Sequence, residues 1–410
     1  MHRALFARLP VALSMVLFVA SIAIATGPAR ADAGFRKWIS DFESVAVSQG
    51  INRSVYRAAF AGVDEPDPDV VRKARFQPEF QDKVWEYLDN RVNEESIAKG
   101  QMMRKQWASW LDRIEKRFGV DRDILLAIWS MESNYGAILE RDDVMKSVPR
   151  SLATLAYMDS RRAKFARQQL IAALKIVQAG HVTPSALTGS WAGAMGHTQF
   201  IPTSYQAFAV DMDGDGHPNI WTSVPDALAS AASLLHKNGW QSGKTWGYEV
   251  FVPSTSTAAK LERANKTIAE WANLGFKRAN GKAFPFPSDR ANLVMPAGPS
   301  GPAFLMTKNF FVLKRYNNAD KYALAVGHLA DQIGGYGPLY ADWPRGYKPL
   351  SVGERYELQE RLSAQGHYEG KIDGKIGSGS KAAIMAYQRQ NGLAADGNAS
   401  KALLDALRGE

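Results

Sequence analysis

Residues 125–136 read LLAIWSMESNYG: the run is apolar until Glu132 and then ends in Ser-Asn-Tyr-Gly. Ile124, Leu125, Ile128 and Met131 stand at helical spacing, which predicts a helix beginning at Asp121. Asp121 and Asp123 suit its first turn. Leu125 and Ile128 lie seven and four residues before Glu132. At about 100° per residue the three share one face, so Glu132 is expected on or beside the buried stripe. Burial disfavours the charged form and raises a carboxyl's pKa. A carboxyl that holds its proton near neutral pH is what a general acid requires. The competing reading is a helix-end glutamate bonded to backbone or paired with an arginine.

The 410 residues suffice for two or three domains with real cores. A hydrophobic content of 46% and an aromatic content of 10% describe a globular chain. Arg3 and Arg8 precede an apolar run from Val11 to Ala25, and Ala29-Arg30-Ala31 offers a small-residue cleavage site. Residues 1–31 therefore read as a secretory signal cut before Asp32, too short and wrongly flanked for a span. With no cysteine in the chain, disulfides, thiolate metal sites, a cysteine nucleophile and a lipid on an N-terminal cysteine are excluded. The remainder is expected to be soluble in an exported, periplasmic compartment, with no stable membrane anchor.

The formal charge of +9 falls to +6 without residues 1–31, which carry three arginines and no acid. A cationic exported protein suits an anionic partner such as a cell-wall polymer. A nucleic-acid partner is not expected, because no dense basic run or base-reading signature appears.

From Asp32 to about Trp240 the pattern is mainly helical, with KVWEYL (Lys83–Leu88), Ile114–Phe118 and Arg161–Gln178 in helices and Gly180 as a cap after the last. Tyr248–Val252 (YEVFV) and Phe310–Lys314 (FFVLK) read as strands around a Pro- and Gly-rich stretch. A helix resumes near Asp320–Gln332, and residues 334–351, dense in Gly, Pro and aromatics, mark a boundary. Beyond it, Gly353–Leu407 forms a small unit of two or three helices, better suited to binding than to housing a deep site.

Three further stretches carry chemistry. GSWAGAMGHTQFIPTSY (Gly189–Tyr205) mixes Ser190, His197, Gln199 and Tyr205 with Trp191, Phe200 and three glycines. An apolar floor with a few polar groups holds a sugar ring, although a tight helix–helix turn would also need small residues. DMDGDGHPNIW (Asp211–Trp221) places Asp211, Asp213 and Asp215 at loop positions 1, 3 and 5, Gly216 at 6 and His217 at 7. That is the oxygen-rich order a hard cation such as calcium requires, with the backbone carbonyl serving at position 7. Position 12 is Thr222 where a bidentate glutamate is usual, and Asp226 could close the shell. Such a site would brace the fold and take no part in the reaction, so no cofactor is expected for the chemistry. In RYNNADKY, Tyr316, Asn317 and Tyr322 can flank a saccharide cleft, as can Tyr87, or can simply be half-exposed rings. His181, His236 and His328 show no ligand spacing and are expected to be structural.

Taken in order, QPEF (Gln77–Phe80), WEYL, MESNYG, the glycine-rich segment, DMDGDGHPNIW, NGW (Asn238–Trp240) and RYN resemble the lytic murein transglycosylases of the B family. The tail, with LQERLSAQGHYEGKIDGKIG and KAAIMAYQRQNGLAADG, resembles a three-helix peptidoglycan-binding domain. The resemblance implies a mainly α, α+β fold: a lysozyme-like helical catalytic core with a small β-containing subdomain over residues 32–347, and the binding domain over 350–410. It implies Glu132 as the single acid/base. It implies glycan contacts from Tyr87, Ser190, Gln199, Tyr316, Asn317 and Tyr322, and a metal loop of Asp211, Asp213, Asp215, His217 and Asp226. Leu234 stands where such proteins can carry a cleft tyrosine.

One acid can suffice where the sugar's own N-acetyl group replaces the second carboxylate. The implied reaction cleaves the bond between N-acetylmuramic acid and N-acetylglucosamine and leaves a 1,6-anhydromuramyl end. A hydrolytic muramidase of the same fold and a non-catalytic wall-binding scaffold are the competing expectations.

Overall fold

The computed structural model describes residues 32–75 and 83–409. The leader reading of residues 1–31 and the whole QPEF motif (Gln77–Phe80) fall outside them. The main core joins helices from Ala33–Ser48 through Asp320–Ile333, and helix Arg122–Ser133 runs through its middle. Ile124, Leu125, Leu126, Ala127, Ile128, Trp129, Ser130, Met131 and Ser133 are all buried. The apolar stripe expected at this helix is thus too narrow a description, since a helix apolar on all sides is a core helix.

Two short strands, β1 (Lys146–Ser147) and β2 (Thr188–Gly189), pair antiparallel and bring the start of the glycine-rich segment to helix Val148–Met158. Five more form an antiparallel sheet: β3 (Gly247–Phe251), β4 (Asn265–Thr267), β5 (Lys277–Arg278), β6 (Arg290–Val294) and β7 (Ala303–Met306), in the order β4-β6-β7-β3-β5. Alternation along β7 sorts its side chains between two cores. Ala303 and Leu305 join a small cluster with Tyr248, Leu293, Trp271 and Phe276, whereas Phe304 and Met306 join the main core. The sheet is a wall shared by both.

The strand expected at Phe310–Lys314 is a helix, Lys308–Tyr316, following β7 directly. Aromatic and β-branched content suggests a strand, but burial decides the matter. Phe310 and Leu313, three apart, are buried in the core, while Phe311 is 37% exposed. The tail contains three helices, Val352–Ala364, Ser378–Gln390 and Lys401–Arg408, around Leu350, Leu358, Leu362, Ile384 and Leu404. Among the described residues, no helix is long and apolar enough to cross a membrane.

The helical register of Lys308–Tyr316 sets a stability test. Phe310→Ala should cost about 3–5 kcal/mol, and Phe311→Ala no more than about 1 kcal/mol, by urea unfolding. Similar losses at both positions would be incompatible with the observed burial.

Candidate active site

Asp121 caps helix Arg122–Ser133 by accepting from the Asp123 amide, and the helix ends in a left-handed turn. Asn134, Tyr135 and Gly136 all have positive φ, at 50°, 57° and 88°. Two consecutive non-glycine residues there mark a strained turn. Gly136 is required sterically, because a Cβ would meet the His197 ring at 2.6 Å. The turn therefore lets the glycine-rich segment close against the end of the Glu132 helix.

Polar atoms secure that contact. Trp129 Nε1 donates to His197 Nδ1 at 3.1 Å. Ser133 Oγ donates to the His197 carbonyl at 2.6 Å and accepts from the Gly136 amide at 3.0 Å. Burial lowers the His197 pKa to about 4, so the ring is neutral and Nδ1 can accept. Sequence reasoning placed His197 among ligand-facing polar groups; its contacts are those of a brace. The partners lie 64 and 68 residues away in the chain, too far for any local pattern to reveal.

Glu132 is half-buried. Tyr322, at the start of helix Asp320–Ile333, donates its hydroxyl to Glu132 Oε1 at 2.5 Å. Tyr316 stacks on Tyr322, with ring centroids 6.4 Å apart and planes 12° from parallel. It donates to the Thr198 carbonyl at 2.5 Å and packs against Phe200. Both tyrosine pKa values lie well above the usual phenol range, first because of burial and then because of the Glu132 charge. Both rings thus remain neutral donors. Glu132, Tyr316, Tyr322 and the Thr198–Phe200 segment form one cluster.

Gln199 lies within that segment, and Asn317 follows Tyr316 directly in the chain. Gln199 has φ +49° and donates from Nε2 to the Gly196 carbonyl at 2.9 Å. Ser190 Oγ accepts from the amides of Ala192 at 3.3 Å and Ala194 at 3.1 Å, which fixes its oxygen inside the loop. A hydroxyl used in this way keeps its own hydrogen to donate. Tyr87 has Lys321 over its ring at 5.4 Å. Asn317 ends helix Lys308–Tyr316 and is exposed. Leu234 is buried in the main core, where it supplies packing.

Of the five expected metal-loop residues, Asp211, Asp213 and Asp226 bring carboxylate oxygens within 4.8 Å of one another. Asp226 is fully buried at the start of helix Val224–Lys237 and accepts from the amides of Met212, Asp213 and Asn219. A buried carboxylate beside two others is an oxygen donor set that fits a hard divalent cation. Asp215 lies outside this trio and accepts from the His217 amide at 2.8 Å, while the His217 ring packs against His181. Thr222 Oγ1 accepts from Asn219.

A helical core with one acid held by a buried tyrosine over a glycine-rich floor defines a glycan-cleaving class, and comparison with known proteins agrees. The family model for the transglycosylase SLT domain matches residues 34–331, and that for a peptidoglycan binding domain matches residues 351–407. The chain belongs to the transglycosylase SLT family, as a lytic transglycosylase with a peptidoglycan-binding unit behind its catalytic region.

Membrane-bound lytic murein transglycosylase B of Escherichia coli (strain K12) is 29% identical over 248 residues, 60% of this chain and 66% of that protein. SltB3 from Pseudomonas aeruginosa, solved with NAG-anhNAM-pentapeptide, is 46% identical with a TM-score of 0.72, covering 91% of this chain and 99% of that one. The Escherichia coli lytic transglycosylase Slt35, solved with calcium, shares the fold at 24% identity and a TM-score of 0.59, over 74% and 93% of the two chains.

The neutral His197 ring gives stability a pH dependence. Its folded pKa of about 4 lies below the ordinary histidine value of 6.5. Its contribution is therefore complete above pH 6.5 and lost as pH falls towards 4, by up to roughly 3 kcal/mol. His197→Asn keeps an acceptor for Trp129 but does not titrate. Its urea-unfolding free energy should fall less steeply than the wild type's between pH 6.5 and 4; parallel curves would refute the assignment.

Proposed function

We propose that the protein, as a lytic transglycosylase, cleaves the β-1,4 bond between N-acetylmuramic acid and N-acetylglucosamine by intramolecular transfer, with Glu132 as its single acid/base. The carrying observation is the Tyr322 hydroxyl on Glu132 Oε1, under the stacked Tyr316 ring. This bond fixes the rotamer of the acid at the edge of the core. In the first step Glu132 gives its proton to the glycosidic oxygen. The bond from that oxygen to the muramyl anomeric carbon breaks, and the muramyl acetamide oxygen assists at the carbon. In the second step the Glu132 carboxylate takes the proton of the muramyl 6-hydroxyl, whose oxygen closes on the anomeric carbon. The product is a 1,6-anhydromuramyl end, and no water is consumed.

The supporting roles follow from donor geometry. Ser190, with its oxygen held by two amides, directs its hydrogen to the acetamide, a positioning role. Tyr87, Gln199, Tyr316, Asn317 and Tyr322 border the glycan. A calcium ion held by Asp211, Asp213 and Asp226, with Asp215 and the His217 carbonyl completing the shell, would neutralise the acids and brace the loop. It has no part in the bond-breaking steps. The catalytic unit takes residues 32–347 and the wall-binding unit 350–410. Export to the periplasm with removal of residues 1–31 accords with the basic, apolar and small-residue order of that segment.

Muropeptide mass spectrometry on purified peptidoglycan tests the reaction. The wild type should release anhydro ends, and Glu132→Gln should be at least about a hundredfold slower. Reducing ends would identify a hydrolase, and an unimpaired Glu132→Gln would remove Glu132 from the chemistry.

The metal has its own test. Chelation should lower the melting temperature, and added calcium should restore it, because a ligand bound only by the native state stabilises it. An unchanged melting temperature would mean the loop holds itself without a cation.

A further inference from the structure

Helix Val84–Arg91 has eight residues, too few to stay helical in water without tertiary partners. Its partners divide by face. Glu86, Asp89 and Asn90, at i, i+3 and i+4, share one face, and all three bond the linker or the C-terminal unit. Glu86 Oε2 accepts from Lys381 Nζ at 2.8 Å while also capping the helix through the Lys83 amide. The Asp89 carboxylate pairs with the Arg345 guanidinium, and its carbonyl accepts from Arg355 Nη1 at 2.7 Å. The Asn90 side-chain amide donates from Nδ2 to the Ile376 carbonyl at 3.2 Å and accepts at Oδ1 from the Ile376 amide at 3.0 Å.

The neighbouring face carries Tyr87, between the Arg91 guanidinium at 5.8 Å and Lys321 at 5.4 Å. Lys321 adjoins Tyr322, the residue that holds Glu132. One short helix therefore has the C-terminal unit on one face and a cleft tyrosine on the next. Arg355 is 4% exposed, and the Arg345 side chain that pairs with Asp89 is largely covered. Breaking such a pair leaves a buried charge uncompensated, so the contact holds a defined geometry.

We infer that the C-terminal unit and the linker that carries it position Tyr87: through Lys381, Arg355 and Ile376, and through Arg345 of the linker, they set the rotation of helix Val84–Arg91, and hence where the Tyr87 ring meets the glycan. This rests on the reading that Tyr87 contacts substrate. It gives the tail a role in the cleft in addition to any grip on the wall. Lys381 and Asp89 are positioning residues, because they act through Tyr87.

The experiment is a double-mutant cycle in the full chain, with a soluble tetrasaccharide of alternating N-acetylglucosamine and N-acetylmuramic acid as substrate. Lys381→Ala should raise KM about fivefold, roughly 1 kcal/mol, with kcat within twofold. Lys381→Arg should restore KM. Asp89→Asn, which keeps the side chain's shape, should act like Lys381→Ala. In a Tyr87→Ala background, itself raised in KM, neither change should add a further effect. Additive effects would overturn the coupling, as would an unchanged KM in Lys381→Ala and Asp89→Asn beside a raised KM in Tyr87→Ala. If Tyr87→Ala alone leaves KM unchanged, the substrate contact fails, and the coupling with it. The Glu132 chemistry is judged separately by its products.

Discussion

Everything around the site answers one constraint: a helix with no outward face ends in an acid. Helix Arg122–Ser133 is buried on all sides, so its last turn must satisfy polar atoms that water cannot reach, each orphan costing on the order of 1–3 kcal/mol. The Trp129 indole and the Ser133 hydroxyl find partners on His197, and the Gly136 amide returns to Ser133. These contacts demand the left-handed turn at Asn134–Gly136 and a neutral imidazole. The glycine-rich segment is thereby tied to the helix end. Glu132 is left at the margin of the core, where a carboxyl can both hold and release a proton.

Two tyrosines then hold the acid in place. Tyr322 orients Glu132, and Tyr316 stacks on Tyr322 while anchoring the Thr198 carbonyl. Neither can supply a negative charge, since burial and the Glu132 charge both push their pKa values up. In the proposed reaction, stabilisation of the developing positive charge at the anomeric carbon therefore falls to the substrate's acetamide. An acid held by a neutral donor suits this proposed division of labour: the hydrogen bond would steady the carboxylate formed in the first step, leaving it in place to accept the 6-hydroxyl proton in the second.

The helix of Glu132, the strand at Tyr248, the boundary after Ile333 and the tail helices were all legible, because each rests on local periodicity or on Gly and Pro punctuation. Phe310–Lys314 was misread because a short apolar run has no period long enough to separate strand from helix; the choice was made by which faces the core could cover. Strands β4 and β5, Asn-Lys-Thr and Lys-Arg, carry no apolar alternation and exist through their pairing. The acid itself was visible, but its partner Tyr322 lies 190 residues away, and only the order of motifs brought the two together. In the acidic loop the spacing picked out five ligands, and the structure gathers three carboxylates. Asp215 joins a backbone turn, a competing use that short acidic side chains always have.

The linker carries the same reasoning to the scale of domains. Glu249, on the shared sheet, accepts from the amides of Tyr340 and Ala341, and burial raises its pKa despite those bonds. Arg345, a few residues on, meets Asp89. A Gly- and Pro-rich segment would ordinarily be a loose tether, but this one is pinned at successive points to the sheet and then to helix Val84–Arg91. The entropy that a free linker would retain is already lost in the folded chain. A C-terminal unit attached in this way does not search space for the wall independently of the cleft. Its contacts with helix Val84–Arg91 tie it to the element that carries Tyr87.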